Sequence, residues 1–252
     1  MRSINSYLVS RVLLISLHHK LKAPRPTPPL SIPILEVILI AEKYRSFAPL
    51  YDLFSAEWPV YRAGRKLGID SLGLQPGNQV LDIGCGTGLN FGLLHRRIGP
   101  EGRIVGIDRS PDMLAQARRK ATRNRWTNII LIEADATTLT PADICASIAV
   151  QGGREHSEAA LATYALSLMA DWETAWTNMI LLSSPGASMS VVDMQAPTGV
   201  YSLATPLARV ACRLGGADIT AHPWTGVERD CDDIQAASAR GGHLQIRTGT
   251  RR

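Results

Sequence analysis

The chain has 252 residues, 45% of them hydrophobic and 19% charged, with a mean hydropathy near zero. That composition excludes a wholly disordered chain and suffices for one full hydrophobic core, so one domain with an extension is expected. The net charge of +5 is uneven: Arg2, Arg11, Lys20, Lys22 and Arg25 stand in residues 1–30 without an acid, and beyond them 22 basic residues face 22 acidic ones. A neutral body lacks the basic stripe that a phosphate backbone demands, which argues against a nucleic-acid partner. The cysteines, Cys85, Cys145, Cys212 and Cys231, form no C-x-x-C pair, and no histidine stands at ligand spacing, so no metal site and no disulfide frame is expected.

Residues 1–43 read as a basic, proline-containing extension. Residues 4–21 are apolar with interspersed basic residues and His18-His19, and Ala23-Pro24-Arg25-Pro26-Thr27-Pro28-Pro29 is a spacer that no helix can cross. Arg11 splits the apolar stretch, against a secretory signal, and neither 4–17 nor 32–41 supplies the roughly twenty apolar residues that a membrane span requires. Two readings stay open: a basic interfacial helix that touches anionic lipid, or an extension without fixed structure. A cytoplasmic protein, with peripheral membrane contact through this segment under the first reading, is expected. The folded domain is expected over residues 44–252. It begins with the aromatic-rich stretch Tyr44, Phe47, Tyr51 and Phe54, whose spacing reads as core packing, and continues into Tyr61-Arg62-Ala63-Gly64-Arg65.

The densest signal is Val80-Leu81-Asp82-Ile83-Gly84-Cys85-Gly86-Thr87-Gly88, an apolar strand running into a glycine-rich turn. Its pattern is G-x-G-x-G with Asp82 two residues before the first glycine; Leu89 stands where a dinucleotide fingerprint requires a third glycine. A helix is expected over 89–98, ending near Gly99-Pro100, then a second strand over 103–107 that ends at Asp108. A carboxylate there can accept hydrogen bonds from both hydroxyls of a ribose. Ser110-Pro111-Asp112-Met113 opens the next helix, with Ser110 as its cap and Pro111 at its first position. A third strand over 128–132 leads to Glu133-Ala134-Asp135-Ala136. Loop, first acid and second acid therefore fall at the ends of three successive strands, the carboxyl edge at which open α/β sheets bind ligands.

The loop resembles the cofactor loop of class I S-adenosylmethionine-dependent methyltransferases. Residues 44–54 resemble the Tyr-Asp segment that precedes the sheet in ubiquinone/menaquinone C-methyltransferases and in bacterial phosphatidylethanolamine N-methyltransferases. The resemblance implies an α/β, Rossmann-like class I methyltransferase fold: a central, mostly parallel seven-stranded sheet with helices on both faces and an antiparallel C-terminal hairpin. It implies S-adenosyl-L-methionine as cofactor, held by Asp82, Gly84, Cys85 through its backbone, Gly86 and Gly88. Asp108 would take the ribose, with Arg109 and Met113 beside it, while Asp135 and the Ala136 amide would take adenine. Tyr44 and Tyr51 would belong to a lid over the methionine moiety, and Arg65 would meet the cofactor carboxylate.

Farther on, the fourth strand is expected over 160–166, with Tyr164 as the candidate acceptor-pocket residue, and a helix from Asp171-Trp172 to Leu182. Residues 147–153 have no clear counterpart in the family. A turn at Ser184-Pro185-Gly186-Ala187 precedes the fifth strand, 188–194, with Ala187 where the family has a second glycine. A helix over 203–214 and a last strand over 241–249 complete the reading, and residues 207–218 with His222-Pro223-Trp224 are loosely similar to lipid-directed N-methyltransferases. Methyl transfer needs alignment and exclusion of water rather than a nucleophilic side chain, consistent with the lack of a Ser/His constellation. The expected function is transfer of a methyl group to a small-molecule or lipid acceptor. The alternatives are an NAD(P)-dependent oxidoreductase and a SAM-binding protein without catalysis; the acceptor, the choice among N-, O- and C-methylation and the oligomeric state stay open.

Overall fold

A computed structural model describes residues 61–197 and 217–252 of the chain. The extension over 1–43, Tyr44, Tyr51 and the helix expected over 203–214 lie outside the described residues. The elements run α1 (Arg62–Ser71), β1 (Gln79–Ile83), α2 (Phe91–Ile98), β2 (Arg103–Asp108), α3 (Pro111–Arg123), β3 (Ile129–Glu133), α4 (Pro141–Val150) and β4 (Ser157–Thr163). After a short 3-10 turn at Leu166–Leu168 come α5 (Trp172–Leu181), β5 (Ser183–Met194), α6 (Thr225–Asp230), β6 (Cys231–Ala239) and β7 (Leu244–Arg251). The seven strands form one sheet in the order β3-β2-β1-β4-β5-β7-β6. β1 to β5 pair in parallel, and β7 inserts antiparallel between β5 and β6.

Strand alternation sorts the core into two layers. Leu81, Ile83, Val105, Ile107, Ile130 and Ile132 project to the face covered by α4, α5 and α6, where Ile144, Ile148, Trp176 and Val227 meet them. Val80, Ile104, Ala159 and Leu161 project to the other, against Ile69 of α1, Phe91 and Leu94 of α2, and Leu114 and Ala117 of α3. Near-continuous apolar strands buried on both faces are what a parallel sheet with helical crossovers requires. The period of two also fixes where polar side chains go. Asp82 and Thr163 share the parity of Val80 and Leu161, and so belong to the face under α1 and α2.

The local signals at α3 hold: Ser110 Oγ accepts from the Met113 N–H at 3.3 Å, with Pro111 next in the chain. Several elements differ from the sequence expectation, among them the last strand, which runs Leu244–Arg251 rather than 241–249, and α6, which was not expected. β4 starts at Ser157 and stops at Thr163 rather than spanning 160–166, because its polar start is satisfied from β1: Gln79 Nε2 donates to Ser157 Oγ, and Glu158 accepts from the Gln79 N–H at 2.7 Å. Tyr164 ends the strand with φ of +56°. β5 begins at Ser183, so the expected turn at 184–187 is an irregularity within the strand, where pairing jumps from Ser157–Ser183 to Ala159–Ser188. α4 takes up residues 147–150 of the stretch that had no clear family counterpart. β6, whose residues 232–238 are all exposed, carries no alternation from which a strand could be read.

Trp176 is fully buried and its Nε1 donates to Asp230 at 2.7 Å, tying α5 to the chain at the end of α6. Trp176→Ala should therefore lower the unfolding free energy by about 3–5 kcal/mol in urea titrations, while Leu67→Ala, at a largely exposed site, should change it by less than about 0.5 kcal/mol.

Candidate functional site

The loop between β1 and α2 is fixed by backbone groups before any ligand is considered. The Cys85 N–H donates to the Ile107 carbonyl at 3.1 Å, and the Gly88 N–H closes a turn onto the Cys85 carbonyl at 2.9 Å. The Gly86 N–H donates to Asp108 Oδ2 at 2.8 Å, which joins the loop to the end of β2. Ala134 N–H then donates to the Asp108 carbonyl, and Arg109 lies 4.0 Å from Asp135. The structure thus brings the loop, Asp108 and Asp135 to one edge.

Gly84, Gly86 and Gly88 all have positive φ, for two different purposes. A Cβ on Gly84 would sit 2.5 Å from Ala165 Cβ, and one on Gly88 2.6 Å from the Phe91 ring, so those two glycines serve packing. A Cβ on Gly86 would meet nothing within 4 Å among the described residues. Gly86 is therefore the point where the backbone itself faces open space beside a carboxylate.

Asp108 accepts from Gly86 through Oδ2 and from the Ser110 N–H through Oδ1 at 2.9 Å. Burial pushes its pKa up, opposed by those two donors and by Arg109. Each oxygen keeps a further lone pair, enough for the two hydroxyls of a ribose. Asp135 is half-exposed and held ionised, its pKa lowered chiefly by the Thr137 hydroxyl, which donates to Oδ1 at 2.6 Å. Ala136 is buried, and its carbonyl accepts from Asn178 Nδ2 at 2.9 Å, which fixes the backbone there. An open glycine face, a carboxylate with spare acceptors and a second anchored acid are a donor and acceptor set that fits an adenosyl group.

Behind the loop lies a polar network that the sequence reading did not foresee. Asp82 is 0% exposed, and both its oxygens accept from Asn90 Nδ2, at 2.8 and 2.9 Å. Asn90 Oδ1 accepts from Arg65 Nη1 at 2.8 Å, and the same nitrogen donates to Thr163 Oγ1 at 2.6 Å. Burial drives the Asp82 pKa up to about 7, against the pull of Asn90 and Arg65. Both Asp82 oxygens are thus engaged by Asn90. Arg65 is itself 7% exposed, with its guanidinium 5.4 Å from the Tyr164 ring centroid. A signal for Asn90 existed: it occupies the cap position of α2, where an asparagine is ordinary, yet its side chain makes no cap bond.

The other expected residues fall near the same edge. The Cys85 side chain is buried, and desolvation pushes its thiol pKa well up. Met113 is buried and Arg109 is largely exposed. Tyr164 lies after β4 rather than within it, donating from its hydroxyl to the Tyr61 carbonyl at 2.8 Å, the two rings 4.9 Å apart. With Met194, Ile219 and Leu244 these tyrosines form a third apolar cluster at the carboxyl end of β5. Among the described residues no group of three or more His, Cys, Asp or Glu is placed to hold a metal ion, and no helix is long and apolar enough to cross a membrane.

Residues 80–172 match a family model described as a methyltransferase domain. The chain is 28% identical over 156 residues, 61% of its length and 64% of the relative's, to 2-phytyl-1,4-naphtoquinone methyltransferase of Thermosynechococcus vestitus. It is likewise 28% identical over 162 residues, 63% of its length and 59% of the relative's, to a ubiquinone/menaquinone biosynthesis C-methyltransferase of Pseudomonas putida. The chain thus spans less than two thirds of these relatives. A crystal structure of geranyl diphosphate C-methyltransferase from Streptomyces coelicolor, in complex with S-adenosyl-L-homocysteine, superposes with a TM-score of 0.57 at 14% identity, covering 76% of each chain. The fold is that of class I methyltransferases.

Two buried carboxyls give this edge a pH signature. Besides Asp82, Asp193 at the end of β5 accepts from the Ser167 N–H and hydroxyl and the Met194 N–H, and burial lifts its pKa to about 6. Both groups hold protons in the folded state that the unfolded chain releases near 3.8, so their stabilisation is complete below that pH and is lost as pH rises through about 6 and about 7. Urea titrations across this window should show wild-type stability falling with pH and a shallower fall in Asp193→Asn; an unchanged slope would place the titration elsewhere.

Proposed function

We propose that this chain, built around a methyltransferase domain and similar to the quinone C-methyltransferases, transfers a methyl group from S-adenosylmethionine to a small-molecule or lipid acceptor. One observation carries the reading: the Gly86 N–H to Asp108 bond lies beside the open face of Gly86, at the edge that also holds Asp135. The cofactor is S-adenosylmethionine, which supplies when bound a methyl carbon activated for in-line displacement by its sulfonium leaving group. The residues of this chain bind and orient. Asp108 accepts the ribose hydroxyls, Asp135 and the Ala136 amide take adenine, and Gly86 gives the close backbone approach.

The domain is taken as residues 44–252, with Tyr44 and Tyr51 in a lid and 1–43 as a basic extension suited to contact anionic lipid. The names of the relatives support an acceptor with an apolar ring or tail, and the cluster of Tyr61, Tyr164, Met194, Ile219 and Leu244 supplies an apolar wall for it. Tyr164 shapes that wall and takes no proton, since its hydroxyl already donates to Tyr61. The protein acts in the cytoplasm. Leu89, in place of the third glycine of a dinucleotide loop, disfavours the oxidoreductase alternative.

Calorimetry should detect binding of S-adenosylhomocysteine and none of NAD; the reverse result would overturn the assignment. Asp108→Ala should weaken that binding by about 1.5–3 kcal/mol, the scale of hydrogen bonds to a charged group, and Gly86→Val should abolish it by filling the ligand's space. Radiolabelled methyl from S-adenosylmethionine, incubated with the protein and a cell extract, should appear in the lipid phase or in small aqueous metabolites. Binding without label in either would make the chain a non-catalytic binder.

A further inference from the structure

The apolar wall of Tyr61, Tyr164, Met194, Ile219 and Leu244 contains no side chain that takes up a proton near neutral pH. A chain neighbour does. His243 ends the turn between β6 and β7, directly before Leu244, and is tied to Gln195, which stands between Met194 and Ala196 of the same cluster. The Gln195 N–H donates to the His243 carbonyl at 2.8 Å, and the Gln195 side-chain amide donates to the Gly242 carbonyl at 3.0 Å. Because β7 runs antiparallel to β5, this turn lies at the carboxyl edge that also holds Gly86 and Asp108. β7 is two places from β4, about 10 Å at the usual strand spacing, so an acceptor lying over β4 and β5 reaches from the loop to the turn.

The imidazole itself is held in one tautomer. His243 Nδ1 lies 2.5 Å from the Gln195 carbonyl oxygen, which only accepts, so Nδ1 carries the proton and Nε2 the lone pair. The residue is half-buried, and Nε2 has no hydrogen-bond partner among the described residues. Other groups nearby are worse placed to take a proton. Asp193 is fully buried and already accepts three hydrogen bonds. Asp218, next to Ile219, accepts from the Thr220 N–H and hydroxyl, and the hydroxyl chiefly lowers its pKa. His222 is exposed, its ring 4.8 Å from that of Trp224.

Resting on the methyl-transfer reading above, we propose that His243 is the general base of this site and takes the hydroxyl proton of a phenolic acceptor on Nε2. Loss of that proton makes the oxygen, or the ring carbon conjugated with it, electron-rich enough to attack the methyl carbon. The new bond uses an electron pair of the acceptor, the pair of the broken carbon–sulfur bond stays on sulfur, and the proton passes from Nε2 to water. Where the ring carbon attacks, its own hydrogen moves to the oxygen and restores the hydroxyl. The bond to Gln195 supports the step, because an imidazolium is a stronger donor than the neutral ring.

4-Nitrophenol, yellow only as its anion, reads the proton transfer without turnover. At a pH that keeps the free probe mostly neutral, wild type with S-adenosylhomocysteine should turn it yellow, and His222→Asn should do the same. His243→Asn, whose amide N–H replaces Nδ1 in the bond to Gln195, should not, while binding S-adenosylhomocysteine within about twofold of wild type. Label transfer from S-adenosylmethionine into a cell extract should fall about a hundredfold or more in His243→Asn and His243→Ala, and added imidazole should restore part of it in His243→Ala. Colour with His243→Asn, loss of colour with His222→Asn, no colour with wild type, or transfer near the wild-type rate in either His243 variant would overturn the base role alone. A wild type that binds S-adenosylhomocysteine but transfers no label would overturn the methyl-transfer reading with it, and one that binds none would overturn the cofactor assignment as well.

Discussion

The hydrogen bond from the Gly86 amide to the Asp108 carboxylate, with that from the Cys85 amide to the Ile107 carbonyl, holds the carboxyl edge of the sheet in shape. It joins the loop after β1 to the end of β2, and because Asp108 also receives the Ser110 N–H, it sets the start of α3 at the same time. A backbone donor at a position where no side chain intrudes, aimed at a partly buried acid, is a preorganised surface: the groups that would meet a ligand are already oriented, and binding need not order them. Parallel pairing of β1, β2 and β3 brings the three strand ends level.

This arrangement has a thermodynamic cost elsewhere. Asp82, Asp108 and Asp193 are carboxyls drawn out of water at the same end of the sheet, and each has its pKa raised by that burial. Hydrogen bonds from Asn90, Gly86, Ser110, Ser167 and Met194 recover part of the loss. A core built for stability alone would fill these places with apolar groups. Retaining acids there is a compromise between holding the fold and serving the site.

Much of the cofactor half was legible in the sequence because its signals are local. The glycine spacing, Asp108 at a strand end and the Ser110-Pro111 helix start each depend on a few neighbouring residues, and the structure has the strands and helix they imply. What escaped reading depends on partners distant in the chain. Thr163 meets Arg65 across 98 positions, and the polar start of β4 makes sense only once Gln79 of β1 is opposite it. α4 was passed over although Pro141 opens it and Ile144 and Ile148 share a face, because its all-round apolar sequence blurs the helical period. β6 carries no such signal, because a strand exposed along nearly its whole length has no buried face to impose alternation.

The insertion of β7 between β5 and β6 sets an order of events on the ribosome. β5 and β6 both leave the exit tunnel before the strand that joins them, so the β5 edge waits unpaired and β6 has nothing to dock against until residues 244–251 emerge. The parallel half, β1 to β4, can assemble as it is made. Closure of the antiparallel half thus waits for β7, and the interval before it is when the nascent chain is most exposed to wrong pairing or capture by chaperones.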